Sequence, residues 1–199
     1  MSTKTKFPMG LLDLGYAPIS AAGSSSALPT YGTSASLGHA VRAALTVNAA
    51  DVPVYGDDML QLKIDSFISG SFETETLMTD LELEQKLYGG TYSTGELLHT
   101  VDDAGTAGAV YGIRKLMKKD KSLVYRAFVL FNCSANRSAS GWDADTKKDS
   151  VEVKNAKVTF DVMPAENGNW MWEHDYTSES DATAGIDAKI HPTTNGGTT

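Results

Sequence analysis

A single cysteine, Cys133, stands among the 199 residues, so neither a disulfide framework nor a thiol pair for zinc can be drawn from this chain. No run approaches the roughly 18 apolar residues of a membrane-spanning helix. The opening MSTKTKFPMGLLDLGY has lysines but only a short apolar stretch, broken by Pro8 and Gly10, unlike the continuous apolar region of a signal peptide. Folding in a reducing cytoplasm, without membrane insertion, is the expectation. A basic excess is also missing: 17 Lys and Arg stand against 25 Asp and Glu, a net charge of −8. That balance argues against a dedicated nucleic-acid binder, which needs clustered cations to neutralise phosphates.

The motifs of chemistry are equally scarce. His39, His99, His174 and His191 are scattered, with no HExxH and no close His-x-His, so a metal site has little to build on. Asp143-Ala-Asp145-Thr-Lys-Lys-Asp149 resembles a calcium loop, but Lys147 and Lys148 occupy the places of an oxygen ligand and the sixth-position glycine. Gly105-Thr-Ala-Gly108-Ala-Val-Tyr-Gly112 lacks the GK[ST] ending and the dinucleotide spacing of a phosphate cradle. Asp102 and Asp103 could act as acid and base, yet turn formation explains adjacent aspartates more simply. Cys133 ends an apolar strand, a place for core packing rather than a nucleophile. Asn132-Cys-Ser134 and Asn136-Arg-Ser138 match glycosylation sequons, which carry little weight without secretion. No catalytic, metal or cofactor residue is assigned, no cofactor is expected, and the chain is read as a non-enzyme.

What the sequence does have is β patterning. Hydrophobic residues make up 41% and charged residues 21%, ordinary for a globular protein, and the length suffices to bury roughly 70% of the unfolded surface. From Ala40, residues Val41, Ala43, Leu45 and Val47 alternate with Arg42, Thr46 and Asn48, a half-buried strand. Pro53 and Gly56-Asp57-Asp58 mark a turn. A second strand follows through Leu60, Leu62 and Ile64, and a third, after an interruption at 67–70, through Phe72, Thr74 and Thr76. Thr79-x-x-Glu82 is a capping box for one short helix that carries Leu83 and Leu87 and stops at Gly89-Gly90. Residues 91–108 read as a long loop, and loops of that length are usually functional.

Strands resume at Ala109–Leu116 and Leu123–Cys133. In the latter, Tyr125, Ala127, Val129, Phe131 and Cys133 form one face and Val124, Phe128 and Leu130 the other, so both sides must be covered. A polar loop spans 134–150, a bulge is expected near Asn155, and a last strand surrounds Trp170 and Trp172. Three parts result: an N-terminal lead-in or arm at 1–39, a β domain at 40–176, and a flexible polar arm at 177–199, where Ile186 and Ile190 are isolated anchors. The fold class is mainly β, a sandwich or barrel with one flanking helix, long loops and extended arms. Charge is segregated: residues 57–112 hold eleven acids against Lys63 and Lys86, a local −9, and residues 113–126 hold +5. Such segments either solvate the surface or meet across subunits.

In order and spacing the chain resembles the major tail tube proteins of long-tailed, non-contractile bacteriophages. The resemblance runs from about Gly15 to Trp172 and rests on Gly15-Tyr-Ala-Pro18, Tyr31-Gly32, Val54-Tyr-Gly-Asp-Asp58, Lys86-Leu-Tyr-Gly89, Asp102-Asp103-Ala-Gly105, Val110-Tyr-Gly-Ile113, Tyr125-Arg-Ala-Phe-Val129 and Thr146-Lys-Lys-Asp-Ser150. It implies a virion protein, assembled in the host cytoplasm as homo-hexameric rings that stack head to tail into the tail tube. Implied partners are the tape measure protein, the tail terminator or distal tail proteins, and phage DNA that passes through the lumen without specific binding. The alternative is a β-sandwich surface or glycan-binding module with Trp170 and Trp172 as its platform. A hydrolase using Asp102 and Asp103 ranks third.

Overall fold

The computed structural model describes residues 5–56, 59–77, 80–142 and 154–192. The alternation that begins at Ala40 becomes β4 (Ala40–Gly56), which turns back as β5 (Met59–Thr76). β5 is one strand where two were expected. The interruption is a bulge: Asn48 pairs with Ser69 and Ala49 with Phe67, which leaves Ile68 as an extra residue. Pro53, expected to mark a turn, lies within β4 opposite Lys63. An edge strand tolerates a residue that has no N–H, and β4 is such a strand. Asp57 and Asp58 of the expected turn lie outside the described residues.

The remaining strands are β1 (Lys6–Ala21), β2 (Thr30–Tyr31), β3 (Ala35–Ser36), β8 (Gly108–Lys118), β9 (Leu123–Ala135), β10 (Ala156–Met163) and β11 (Met171–Tyr176). All join one antiparallel sheet in the order β2-β1-β8-β9-β10-β5-β4, with β3 beside β1 and β11 beside β9. β9 is the centre. β8 runs along one side of it, while β11 and β10 share the other, at Tyr125–Leu130 and Asn132–Ala135.

Both faces of β9 are covered, as its apolar sequence requires. Phe128 and Leu130 join Tyr16, Phe72 and Phe160 in one cluster; Ala127, Val129 and Phe131 join Ile113 in another. Cys133, expected beside Phe131, instead lies with Leu130. Gly108 and Val110 pair with Cys133 and Leu130, so β9 contains one extra residue there, and a one-residue shift moves the following side chain to the other face.

The sheet coils until β1, next to one end, and β4, at the other, draw near one another around the first cluster. Helix α1 (Leu81–Tyr88) closes one side of it with Leu83 and Leu87. Its cap is Asp80, whose carboxylate accepts from the Glu82 N–H at 3.2 Å; Thr79 lies outside the described residues. Gly89 ends the helix at φ +80 and donates its N–H to the Gln85 carbonyl. The loop expected at 91–108 folds in part into a small hairpin of β6 (Thr91–Ser93) and β7 (Glu96–Leu98).

Neither arm has its expected form. The N-terminal lead-in supplies β1, with Tyr16 and Ala17 fully buried, and Tyr31 and Leu37 are buried beyond it. Its small residues permit that depth: Gly15 sits so close to the Tyr111 ring that no Cβ fits between them. At the other end, Glu179–Ile190 forms helix α2. Ser178 caps it by accepting from the Asp181 N–H at 3.2 Å, and Ala182, Ile186 and Ile190, each four residues apart, are buried in the second cluster. Burying an isoleucine is worth about 1.5–3 kcal/mol, enough to dock a helix whose exposed face is polar. Among the described residues, no helix is long and apolar enough to cross a membrane.

Candidate functional site

Past Gly70, where β10 stops flanking it, β5 pairs only with β4 among the described residues. The two strands continue as a ribbon that extends about 30 Å, at roughly 3.3 Å per residue. Phe67 anchors its base by stacking on Trp170, with ring centroids 4.2 Å apart and planes at 3°. Farther out, the register sets Val52 opposite Ile64 and Val54 opposite Leu62. The sequence signal for this element is broken in phase, since the odd-numbered alternation of Val41 to Val47 gives way after Ala49-Ala50 to Val52 and Val54 at even positions, on either side of Pro53.

Behind the ribbon, the coiled sheet fails to close. β4 pairs on one edge only, and β1 has no ladder partner on its outer edge over residues 6–13 among the described residues. Between them lies an apolar cavity of about 350 Å³, lined by Met9, Leu11, Val41, Leu45, Phe72 and Phe128. Toward His39 and Leu83 the opening continues as a second hollow of about 490 Å³. Arg42 and Arg114 also wall the first cavity. The Arg114 NH2 group pairs with Glu173, while its Nε is buried without a hydrogen-bond partner.

Part of the segregated charge is answered within the chain. Arg126 donates to both carboxylate oxygens of Asp175, at 2.6 and 3.0 Å, and Lys6 also pairs with Asp175. These cations, Arg126 foremost, hold the Asp175 carboxyl well below the ordinary carboxylate range. On the other side, Glu73 contacts Lys157 at 2.8 Å and Arg42 at 2.6 Å, and Arg42 reaches Glu75 at 3.1 Å. Lys157 first and Arg42 second keep the Glu73 carboxyl below its usual range. Lys118, Lys119 and Lys121 gather at the turn between β8 and β9.

The residues weighed for chemistry are not brought together. Asp103 accepts from the Thr100 N–H at 2.9 Å and its hydroxyl at 2.7 Å, and Thr100 holds its carboxyl low. That is the opposite of what a general acid needs. Asp103 also lies 3.1 Å from His99 Nδ1, which Arg137 approaches at 2.8 Å. His191 meets Ser34 at 3.3 Å, His174 stacks with Trp172 and meets the Tyr176 ring at a 60° tilt, and His39 borders the second hollow. Among the described residues, no group of three or more His, Cys, Asp or Glu could hold a metal ion. Cys133 is wholly buried, and desolvation pushes its thiol far above the ordinary range.

Several motifs find structural employment. Gly105 packs on the end of α1, where a Cβ would stand 1.8 Å from the Leu87 carbonyl oxygen. Asn136 caps the short turn Arg137–Ala139 through the Ala139 N–H, and Asn132 donates to the Pro164 carbonyl. The calcium-like segment at 143–149 and most of the expected bulge region before Asn155 lie outside the described residues. Trp170 and Trp172, expected on one face, belong to different clusters, since Trp170 precedes the regular part of β11. Lys189 sits 5.4 Å above the Trp172 ring. No protein-family model matches this chain, and a search of curated proteins finds no match.

Proposed function

We propose that this chain is a structural subunit that assembles head to tail with copies of itself, and that the assembly is the tail tube of a long-tailed bacteriophage. The observation that carries the first part is the β4–β5 ribbon. Two-stranded ribbons are marginal on their own in water, and beyond Gly70 this one has no third strand beside it among the described residues. A long open edge is a template for pairing with another chain unless something covers it. Two unlike surfaces, a projecting ribbon and an open sheet, make a heterologous contact, which closes into rings or propagates as a filament.

The second part comes from the resemblance in sequence order, which implies hexameric rings stacked into a conduit for DNA within the virion. The tape measure protein and the tail end proteins belong to the same proposal. A glycan-binding module has less support, because the two indoles that would form its platform lie in separate clusters. Sedimentation velocity at rising concentration, with electron microscopy of the same samples, tests the assignment. Rings and tubes are the expected result. A chain that stays monomeric at high concentration, even after tail-initiating phage components are added, overturns it.

A further inference from the structure

We infer that the cavity at the seam between β1 and β4 binds a single alkyl carboxylate, with Arg114 receiving the carboxylate; this concerns the individual chain and does not depend on the assembly reading above. The cavity measures about 350 Å³, within the range of small-molecule sites. At roughly 30 Å³ for each non-hydrogen atom in liquid-like packing, it holds about a dozen of them. Its deepest walls are apolar and buried, formed by Phe72, Phe128 and Leu130, while Met9 and Val41 on its other side are 56% and 49% exposed. The two strand edges that flank it have no ladder partner there among the described residues, which leaves a path of entry.

The chemistry at one end of the cavity selects an anion. Arg114 on β8 stands opposite Arg126 on β9, and Arg126 opposite Asp175 on β11, while Phe128 stands opposite Glu173. Opposed residues, and those two apart along a strand, share one face of a sheet. The ion pairs Arg114–Glu173, Arg126–Asp175 and Lys6–Asp175 therefore gather beside Phe128. Three cations there meet two carboxylates, an excess of one positive charge. Arg126 commits Nε and a terminal nitrogen to Asp175, whereas Arg114 reaches Glu173 through one terminal nitrogen, and its buried Nε has no hydrogen-bond partner among the described residues. A buried guanidinium donor is costly to leave unpaired, and an ionised acceptor satisfies it best.

Tail and head are both required. An uncharged apolar molecule would fill the space and leave the Arg114 donor and the excess charge unanswered, and a small anion such as acetate would do the reverse. An unbranched chain ending in a carboxylate does both, because the planar guanidinium fork matches a carboxylate and each methylene removed from water adds to affinity. Decanoate, with about a dozen non-hydrogen atoms, matches the volume.

Isothermal titration calorimetry of the purified chain with decanoate, decanol and acetate tests the inference, with sedimentation run on the same samples. Decanoate is expected to saturate at one per chain, decanol to bind at least about tenfold more weakly, and acetate to give no signal. Arg114→Met is expected to weaken decanoate about tenfold and leave decanol unchanged, a pattern that loss of the fold cannot produce, since unfolding would remove both. Val41→Trp, at a half-exposed lining position, is expected to weaken both by filling the cavity. Decanoate that fails to saturate, binds no better than decanol, or binds equally well to a folded Arg114→Met overturns the inference; should that variant misfold, the wild-type comparison of decanoate with decanol decides. Assembly is read from sedimentation alone, so the failure of either reading leaves the other standing.

Discussion

Asp175 stands directly opposite Arg126 in the β9–β11 ladder and accepts two hydrogen bonds from its guanidinium, at 2.6 and 3.0 Å. Lys6, at the start of β1, reaches the same carboxylate, so one acid on the last strand ties together the first strand and the central one. This bidentate geometry is the strong form of an ion pair.

The pair makes stability depend on acid. The folded pKa of Asp175 is depressed, by Arg126 first, against an unfolded value near 3.9. Its contribution is therefore present above that unfolded value and is lost as pH falls through the folded one. With 32% of the side chain exposed, the contribution after solvent screening is about 1 kcal/mol. Asp175→Asn is expected to cost that much near neutral pH in urea unfolding, and the gap between variant and wild type should narrow below about pH 4. A gap that is constant with pH would assign the loss to packing instead.

Helix α2 yields a second test. Ile186 is 4% exposed at the middle of its buried stripe, so Ile186→Ala is expected to cost about 2–4 kcal/mol, from lost burial and the cavity left behind. A flexible tail would give a change within roughly 0.5 kcal/mol. Denaturant midpoints of the two proteins decide between these outcomes.

The β core was legible because period-two alternation and burial are local signals: Ala43 and Leu45 in the first strand, the two faces of β9 as far as Phe131, and the Leu83–Leu87 pair appear in sequence and structure alike, whereas Val41 and Val47 at the ends of the first alternation are exposed. What escaped depended on partners distant in the chain. Nothing near Gly15 announces the Tyr111 ring that requires its lack of a side chain, and the extra residue in β9 that turns Cys133 inward is visible only against β8. The α2 signals, Ser178-x-x-Asp181 and the four-residue spacing of Ala182, Ile186 and Ile190, were present but diluted by Ser, Thr and Gly. The seam could not be read at all, since it arises from how far the sheet coils.

Cys133 provides a test that separates structural from reactive thiols. Burial disfavours its thiolate, and the thiolate is the species that alkylates. Iodoacetamide is expected to leave the folded protein unmodified over hours at mildly alkaline pH and to label it fully once denaturant unfolds it. Rapid labelling of the native state would place the thiol within reach of solvent and reopen a chemical role.

Gly105 tests the docking of α1. Its backbone lies so near Leu87 that a Cβ would meet the carbonyl oxygen at 1.8 Å, whereas Gly141 has nothing within 4 Å of that position. Gly105→Ala is expected to cost about 1–3 kcal/mol as an overpacked site, because a backbone oxygen cannot rotate aside. Gly141→Ala should be neutral within about 0.5 kcal/mol. Equal thermal midpoints for the two variants would show that the loop yields without penalty.

The last prediction concerns the basic turn between β8 and β9. Arg114 and Arg126 already pair with Glu173 and Asp175, so of the basic segment Lys115 within β8 and Lys118, Lys119 and Lys121 at its turn remain, and the three at the turn are the ones placed to meet a neighbouring subunit. On the acidic side, Glu73 bonds to both Arg42 and Lys157, and Glu75 bonds to Arg42. Reversing either would break contacts within its own chain, so the exposed Glu82 on α1 is the better position for a compensating change. An exposed ion pair is worth only about 0–1 kcal/mol, but repetition at every subunit multiplies small terms. Reversing the three lysines to glutamate is expected to lower the yield of assembled protein at low salt while circular dichroism stays unchanged, and Glu82→Lys in the same chain should restore part of it. At high salt, where screening shortens the reach of charge to a few ångströms, variant and wild type should converge. Wild-type yield from the triple variant at low salt would make the turn a solvated loop, leaving assembly to the ribbon alone.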